Sequence, residues 1–144
     1  MVSRQPTALR PPQVINKRYR VIRSLGKGGM GEVYLVEDDL ADGQRLSLKT
    51  LKRERRHEAL QYFRHEFKAL SELRHPNLAA VFDFGVIEGE DLPYFTSEYG
   101  EGEDLLGLAA GLTLEALYPV AVQICRALEY IHSRGVIHYD VKPS

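Results

Sequence analysis

From Tyr19 onward the chain settles into short runs in which apolar and polar side chains alternate, the period of half-buried β-strands. Tyr19–Leu25 is the first such run, Glu32–Glu37 the second and Gln44–Leu51 the third. Gly26-Lys27-Gly28-Gly29-Met30-Gly31 separates the first two, and a polar stretch ending in Asp42-Gly43, a strong hairpin-turn dipeptide, separates the next. These runs predict an antiparallel meander with the glycines at a strand-to-strand turn and no helix after them. Within Leu46-Ser47-Leu48-Lys49, alternation puts Ser47 and Lys49 on one face and the leucines on the other.

The period then changes. Phe63, Phe67, Leu70 and Leu73 recur three and four apart, which predicts an amphipathic helix from about Glu58 to Leu73, stopped by His75-Pro76-Asn77. Glu66 falls on the same apolar face. A carboxylate there is costly to bury unpaired, so either a lysine from the neighbouring strand partners it or it reaches solvent at the stripe's edge. Short strands follow over about Leu78–Phe84 and Pro93–Tyr99, with a Gly- and acid-rich loop between them, and Gly100-Glu101-Gly102-Glu103-Asp104 reads as a linker. A last helix starts at Thr113 or Tyr118 and runs through His132, with Leu117, Val120 or Ala121, Ile124, Leu128 and Ile131 as its stripe and Gly135 as its cap. Pro119 inside it would cost about 3 kcal/mol, which predicts a start at 118–119 or a bend there. Val136-Ile137 reads as a short strand, and residues 1–16, with three prolines and few apolar side chains, as a flexible arm. There is no internal repeat.

Composition bounds the class. With 144 residues and 44% hydrophobic content, the chain is one domain's worth of globular material and not a disordered segment. No apolar run approaches the ~20 residues of a membrane span, and MVSRQPTALRPPQ lacks the apolar core of a secretory signal. The single Cys125 excludes an internal disulfide framework and a cysteine-only zinc site, so a cytoplasmic chain is expected. Charge is uneven: residues 1–75 hold 16 Lys/Arg against 9 Asp/Glu, net +7, and residues 76–144 hold 3 against 11, net −8. A basic half can meet phosphates, but charge alone favours the plainer reading of a solvated face such as Lys52-Arg53-Glu54-Arg55-Arg56.

A lone Gly-x-Gly-x-x-Gly is weak evidence of phosphate binding. Here a strand follows the glycines where a dinucleotide fold needs a helix, and Glu32 follows Gly31 where a Walker loop needs Lys-Ser/Thr. What remains is a glycine-rich hairpin whose backbone can approach triphosphate oxygens because no Cβ intervenes; the plain alternative is a mobile turn without a ligand. Lys49 by itself reads as a surface strand lysine, and Glu66 tips that balance.

Taken in order, Gly26-x-Gly28-x-x-Gly31-x-Val33, Lys49 in a strand, Glu66 in the next helix and His138-Tyr139-Asp140-x-Lys142-Pro143 resemble a protein kinase catalytic domain. The likeness is to the eukaryotic-like Ser/Thr kinases of bacteria, notably in LGKGGMGEVYLVED, ELRHPNL, SEYGEG and GVIHYDVKPS, and it covers residues 19–144. The resemblance implies an α+β, bilobal kinase-like fold. Residues 17–99 would form the antiparallel-sheet N-lobe with its one key helix, and residues 100–144 the hinge and truncated start of the C-lobe, with its first helix and catalytic loop. It implies ATP as co-substrate and Mg2+ in the intact enzyme, with a protein Ser/Thr hydroxyl as acceptor. Gly26, Lys27, Gly28, Gly29, Met30 and Gly31 would cover the phosphates, Val33 would pack on adenine, and Lys49, held by Glu66, would take the α- and β-phosphates. Ser97 falls at the gatekeeper position. Glu98 and Gly100 fall where the hinge backbone bonds adenine, and Asp104 is a ribose candidate. Asp140 matches the base that accepts the hydroxyl proton, and Lys142 the lysine that steadies the transferred phosphoryl group; Lys142-Pro143 after Asp140 favours Ser/Thr over Tyr.

Three departures stand out. Ser47 replaces the usual Ala beside adenine, a tolerable change. Tyr139 replaces the Arg that precedes the catalytic Asp in many members, so activation through that residue by loop phosphorylation is not expected. The sequence stops at Ser144, before the family's magnesium-binding Asn and Asp-Phe-Gly, so no metal ligand is assigned. The expectation is therefore a Ser/Thr protein kinase given as an incomplete piece, inactive by itself; the alternative is a truncated, non-catalytic nucleotide-binding or docking module. Nucleic-acid binding is not expected, because the basic residues lie at kinase positions or in one polar run without interleaved aromatics. Neither an oligomeric state nor a membrane partner is assigned by the sequence.

Overall fold

The computed structural model describes residues 8–29, 31–52, 56–138 and 141–142, apart from the side chains of residues 56–58. It divides into two compact units, Met1–Ser71 with Ala80–Tyr99, and Glu72–Ala79 with Gly100–Ser144. The division falls between Tyr99 and Gly100, and Glu72–Ala79 groups with the second unit.

Among the described residues the first unit contains six strands, β1 (Val14–Ile15), β2 (Tyr19–Lys27), β3 (Gly31–Asp38), β4 (Gln44–Leu51), β5 (Val81–Ile87) and β6 (Leu92–Glu98), and the helix α1 (Arg56–Ser71). All pairings are antiparallel, in the order β1-β2-β3-β4-β6-β5. The meander from β2 to β4 is the one the alternation predicts, and β4 has the bounds read from sequence. The β3–β4 connection turns on Asp42 (φ 51°) and Gly43 (φ 75°), two residue types that accept the left-handed region. Register shifts between Val21/Arg23 and Ser24/Gly26 place bulges in β2, the device that bends and twists a strand.

That bending curls the sheet. Tyr19 of β2 meets Tyr94 of β6 edge to face at 5.8 Å, and its hydroxyl donates to Asp83 Oδ2 of β5 at 2.8 Å. Arg18 Nε donates to Asp38 Oδ1 and Oδ2 at 3.0 and 3.1 Å, and its guanidinium also reaches Asp83 at 3.0 Å. Strands far apart in the sheet order are thus tied across an interior filled by Ile15, Tyr19, Val21, Tyr34, Val36, Leu46 and Leu48, all buried. Buried Thr96 satisfies its hydroxyl by accepting the Asp83 N–H at 3.1 Å.

The described part of the expected flexible arm is packed. Leu9 and Ile15 are buried, β1 pairs with β2, and the Val21 N–H donates to Gln13 O at 2.9 Å. Asn16 links this segment to the β5 end of the sheet, donating from Nδ2 to Val86 O at 2.8 Å and accepting the Glu88 N–H at 2.9 Å. Its few apolar groups suffice because the curled sheet offers them a pocket and its polar groups find partners. Residues 1–7 lie outside the described residues.

Helix α1 covers the opposite face of the sheet. Phe63 and Phe67 stack on Phe95 of β6 at 5.0 and 6.0 Å and on Phe84 of β5 at 6.0 and 5.3 Å. Strand β6 is therefore buried on both faces from Leu92 to Thr96, which erases its alternation and explains why its bounds and those of β5 are shifted from the expected ones. Between them, Gly89 and Asp91 take positive φ in a short turn where a longer loop was expected.

In the second unit α2 (Leu105–Ala110), a helix not read from the sequence, follows directly on the expected linker, with Asp104 as N-cap accepting the Gly107 N–H at 2.8 Å. Helix α3 (Leu114–Ser133) starts at the first of the two sites read from sequence, with Thr113 Oγ1 capping Ala116 N–H at 3.3 Å, and carries Pro119 in its interior. Gly135 (φ 73°) follows its last residues, with Gly135 N–H bonded to His132 O and Val136 N–H to Ile131 O, a Schellman closure. Val136 is spent on that closure, and Val136-Ile137 form no strand. Glu72–Ala79 is held on α3 by Arg74 N–H to Tyr130 Oη at 2.9 Å and Asn77 Nδ2 to Gln123 Oε1 at 2.8 Å.

Candidate active site

The glycines occupy the tip of the β2–β3 hairpin. Gly26 pairs with Val33 and Lys27 with Glu32, and the Gly28 N–H donates to Gly31 O at 2.8 Å. The glycines are not equivalent. A Cβ on Gly31 would lie 1.8 Å from Thr50 O, so the close approach of β4 demands glycine there. A Cβ on Gly26 or Gly29 would meet nothing within 4 Å, which leaves that backbone open to an incoming group. Met30 lies outside the described residues.

Below the hairpin, Val33 is the cross-strand partner of Lys49, and Ser47 is the partner of both Leu35 and Ser97. The alternation assigned to β4 is observed: Leu46 and Leu48 are buried inside the sheet, and Ser47 and Lys49 lie half-buried on the other face. Lys49 also pairs with Phe95, its ammonium 5.6 Å from the ring centroid. The aromatic packing of α1 brings Glu66 to this lysine, Nζ to Oε1 at 2.5 Å, with the side chains 31% and 37% exposed. Of the two readings open for Glu66, the paired one holds. The pair's worth lies in placing an ammonium, since partly exposed ion pairs add only about 0–1 kcal/mol to stability.

Ser97 and Glu98 close this unit on the β6 side. The Glu98 N–H donates to Ala80 O at 2.8 Å, and its carboxylate accepts the Ala80 N–H at 3.2 Å. Gly100 and Asp104 belong to the second unit, where the Asp104 carboxylate is engaged as the α2 cap. Lys142 is exposed in that unit, and Asp140 lies outside the described residues together with Tyr139 and Pro143. The structure thus brings together the glycine hairpin, Val33, Ser47, Lys49, Glu66 and Ser97 within one unit. Among the described residues no group of three or more His, Cys, Asp or Glu could hold a metal ion. No described helix is long and apolar enough to cross a membrane.

Sequence reading missed Glu32 and Tyr34. Both lie on the hairpin-bearing strand, two residues apart and hence on one face, and that spacing was the available signal. Glu32 accepts from Ser24 Oγ at 2.9 Å and pairs with Lys27 at 3.3 Å, bracing the hairpin's root.

A curled antiparallel sheet with a glycine hairpin, backed by a helix whose glutamate holds a strand lysine, is the N-terminal architecture of a protein kinase catalytic domain. The protein kinase domain model matches residues 19–144, and the chain belongs to that family. It is 36% identical over 143 residues to the serine/threonine-protein kinase PknD of Chlamydia trachomatis, covering 88% of this chain and 15% of that protein. To the serine/threonine-protein kinase pkn2 of Myxococcus xanthus it is 35% identical over 134 residues, covering 90% of this chain and 16% of that protein. The crystal structure of the Mycobacterium tuberculosis PknI kinase domain superposes with a TM-score of 0.70 at 30% identity, covering 94% of this chain and 56% of that one. The chain therefore spans a small part of the full length of these curated relatives.

Proposed function

We propose that this chain is the nucleotide-binding part of an ATP-dependent Ser/Thr protein kinase. The observation that carries the reading is the Lys49–Glu66 pair beneath an open glycine hairpin. The hairpin backbone, open at Gly26 and Gly29, lets phosphate oxygens approach closely, and Gly31 keeps β3 close to β4 at the hairpin's base. Lys49, ordered by Glu66, binds the α- and β-phosphates as a fixed cation. Val33 supplies an apolar wall for adenine, with Ser47 and Ser97 as small polar neighbours and the Glu98 backbone beside them.

In the transfer itself a protein Ser/Thr hydroxyl oxygen forms a bond to the γ-phosphorus as the bond to the β,γ-bridging oxygen breaks. Asp140 takes the hydroxyl proton, Lys142 steadies the moving phosphoryl group, and ADP leaves. Magnesium, when bound, neutralises charge on the phosphates, and no described residue is assigned to it.

The test is Lys49→Met, assayed for γ-phosphate transfer from ATP to protein Ser/Thr in the gene product at its native length. Loss of an ordered cation at the phosphates should lower transfer by about 10²-fold or more while far-UV circular dichroism stays unchanged. Full activity in the variant overturns the assignment of Lys49. ATP binding with no transfer by the unsubstituted protein overturns the enzyme reading in favour of a non-catalytic nucleotide-binding module.

A further inference from the structure

The side chain of Glu98, the last residue of β6, has no part in the function proposed above. The β5–β6 ladder pairs Val81 with Ser97, and the same register puts Ala80 opposite Glu98. Two residues in a hydrogen-bonded antiparallel pair exchange both main-chain bonds, each N–H to the other's carbonyl. Here only half of that exchange is made. The Glu98 N–H donates to Ala80 O at 2.8 Å, but the Ala80 N–H donates to Glu98 Oε2 at 3.2 Å. The carboxylate stands in for the carbonyl of its own residue, so the pairing with Ala80 is kept and the Glu98 carbonyl is left out of it. Stability gives no reason for this. The main-chain carbonyl would satisfy the Ala80 N–H equally well, without ordering an exposed side chain that loses rotamer freedom in the process. The exchange falls beside the proposed adenine site. Glu98 is the cross-strand partner of Leu46, and Ser97, one residue earlier, is the partner of Ser47.

We infer that the Glu98 carboxylate is a positioning group that keeps the Glu98 carbonyl available to accept from the 6-amino group of a purine, and so sets a preference for adenine over purines that lack the amine. The inference rests on the nucleotide reading of the site. What the carboxylate changes is direction. A carbonyl has two lone pairs, but one bonded to Ala80 is aimed at β5, whereas one released from the ladder can turn to a ligand's donor.

The experiment titrates ATP and purine riboside triphosphate, which has hydrogen in place of the 6-amino group, into the gene product at its native length and into Glu98→Leu and Glu98→Gln. Leucine keeps the bulk of the side chain without an acceptor, so the Ala80 N–H falls back on the main-chain carbonyl. Glutamine keeps an oxygen for the Ala80 N–H. The natural protein should prefer ATP by about 2- to 12-fold, the worth of one hydrogen bond, and Glu98→Leu should lose that preference while Glu98→Gln retains it. The charge removed in both variants acts alike on the two triphosphates and cancels in the ratio. A merely structural role for Glu98 would weaken both nucleotides together and leave the ratio alone. A preference kept in Glu98→Leu, or lost equally in Glu98→Gln, overturns the positioning role, as does equal binding of the two nucleotides by the natural protein. Glu98→Ala gives the same comparison should the leucine variant fail to fold. Uptake of neither nucleotide by the natural protein overturns the nucleotide reading and this inference with it; binding followed by any of the earlier contrary results overturns the inference alone.

Discussion

Glu66→Gln separates a pair that orders a cation from a pair that holds up the fold. Lys49 and Glu66 are 31% and 37% exposed, so water screens them and the net contribution to stability should be under about 1 kcal/mol. The amide keeps the shape of α1's inner face, and the Phe63–Phe95 contact at 5.0 Å that seats the helix is untouched. Phe63→Ala on the same helix is the structural yardstick, with an expected cost of about 3–5 kcal/mol. For nucleotide binding two effects oppose each other. Without the carboxylate, Lys49 regains rotamer freedom that must be surrendered when phosphate binds, about 1.5–2 kcal/mol. Removing a negative charge from beside the phosphates returns at most about 1 kcal/mol at this exposure. The ordering effect wins, and ATP should bind about 2- to 10-fold more weakly, since 1.4 kcal/mol is a factor of ten. Urea denaturation and a fluorescence titration with ATP read the two numbers. Unchanged or tighter ATP binding would refute the ordering role; a stability loss above about 3 kcal/mol would show that the pair is structural.

Asp38 carries the sheet's acid sensitivity. It is 2% exposed, accepts from Arg18 and from the Leu40 N–H at 3.0 Å, and is held below the usual 3.8, first by the Arg18 hydrogen bonds against an opposing effect of burial. A lowered folded value means a contribution fully present above the unfolded pKa and lost as pH falls through the folded one. Asp38→Asn should therefore cost about 2–4 kcal/mol at neutral pH, and the gap from the natural protein should narrow only below about pH 4; a gap constant down to pH 2 would contradict the cause assigned. Gly31→Ala must displace the Thr50 carbonyl, 1.8 Å from the new Cβ, so a loss of more than about 2 kcal/mol in thermal or urea unfolding is expected. A near-neutral Gly31→Ala would mean that β3 and β4 are not so closely paired.

What the sequence discloses depends on whether a residue's partner is local. Burial alternates at the start of β2 (Tyr19, Val21) and through the middle of β4 (Leu46 to Lys49), and with the Asp42-Gly43 turn this is enough to read the meander, although Tyr34, Leu35 and Val36 of β3 are buried in a row. The periodicity of α1 runs past its end, because Leu73 is buried in the second unit and not on the helix. In β6, burial on both faces removes the period that would have marked its edges. Helix α2 has six residues with Gly107 near its middle, too short for a stripe, and its best signal is the Asp104 cap. The N-terminal segment is the clearest case: Leu9 to Tyr34 spans 25 residues and Asn16 to Val86 spans 70, distances over which no local pattern speaks.

The site shows the same division. Its motif residues are recognisable one by one, but two unrelated supports hold them in place. The β-ladder from Val33 through Lys49 to Phe95 sets the lysine. The rings of Phe63, Phe67, Phe84 and Phe95 set the helix that presents Glu66. The hairpin has neither support at its tip. Gly26 and Gly29 face open space, and the freedom that lets phosphate approach them also leaves their conformational entropy to be lost on binding. Order has to enter at the hairpin's root, where Glu32 gathers Ser24 and Lys27. A chain that loosened that root would keep every motif residue and still bind nucleotide less well, which makes the root a more sensitive point of control than the glycines themselves.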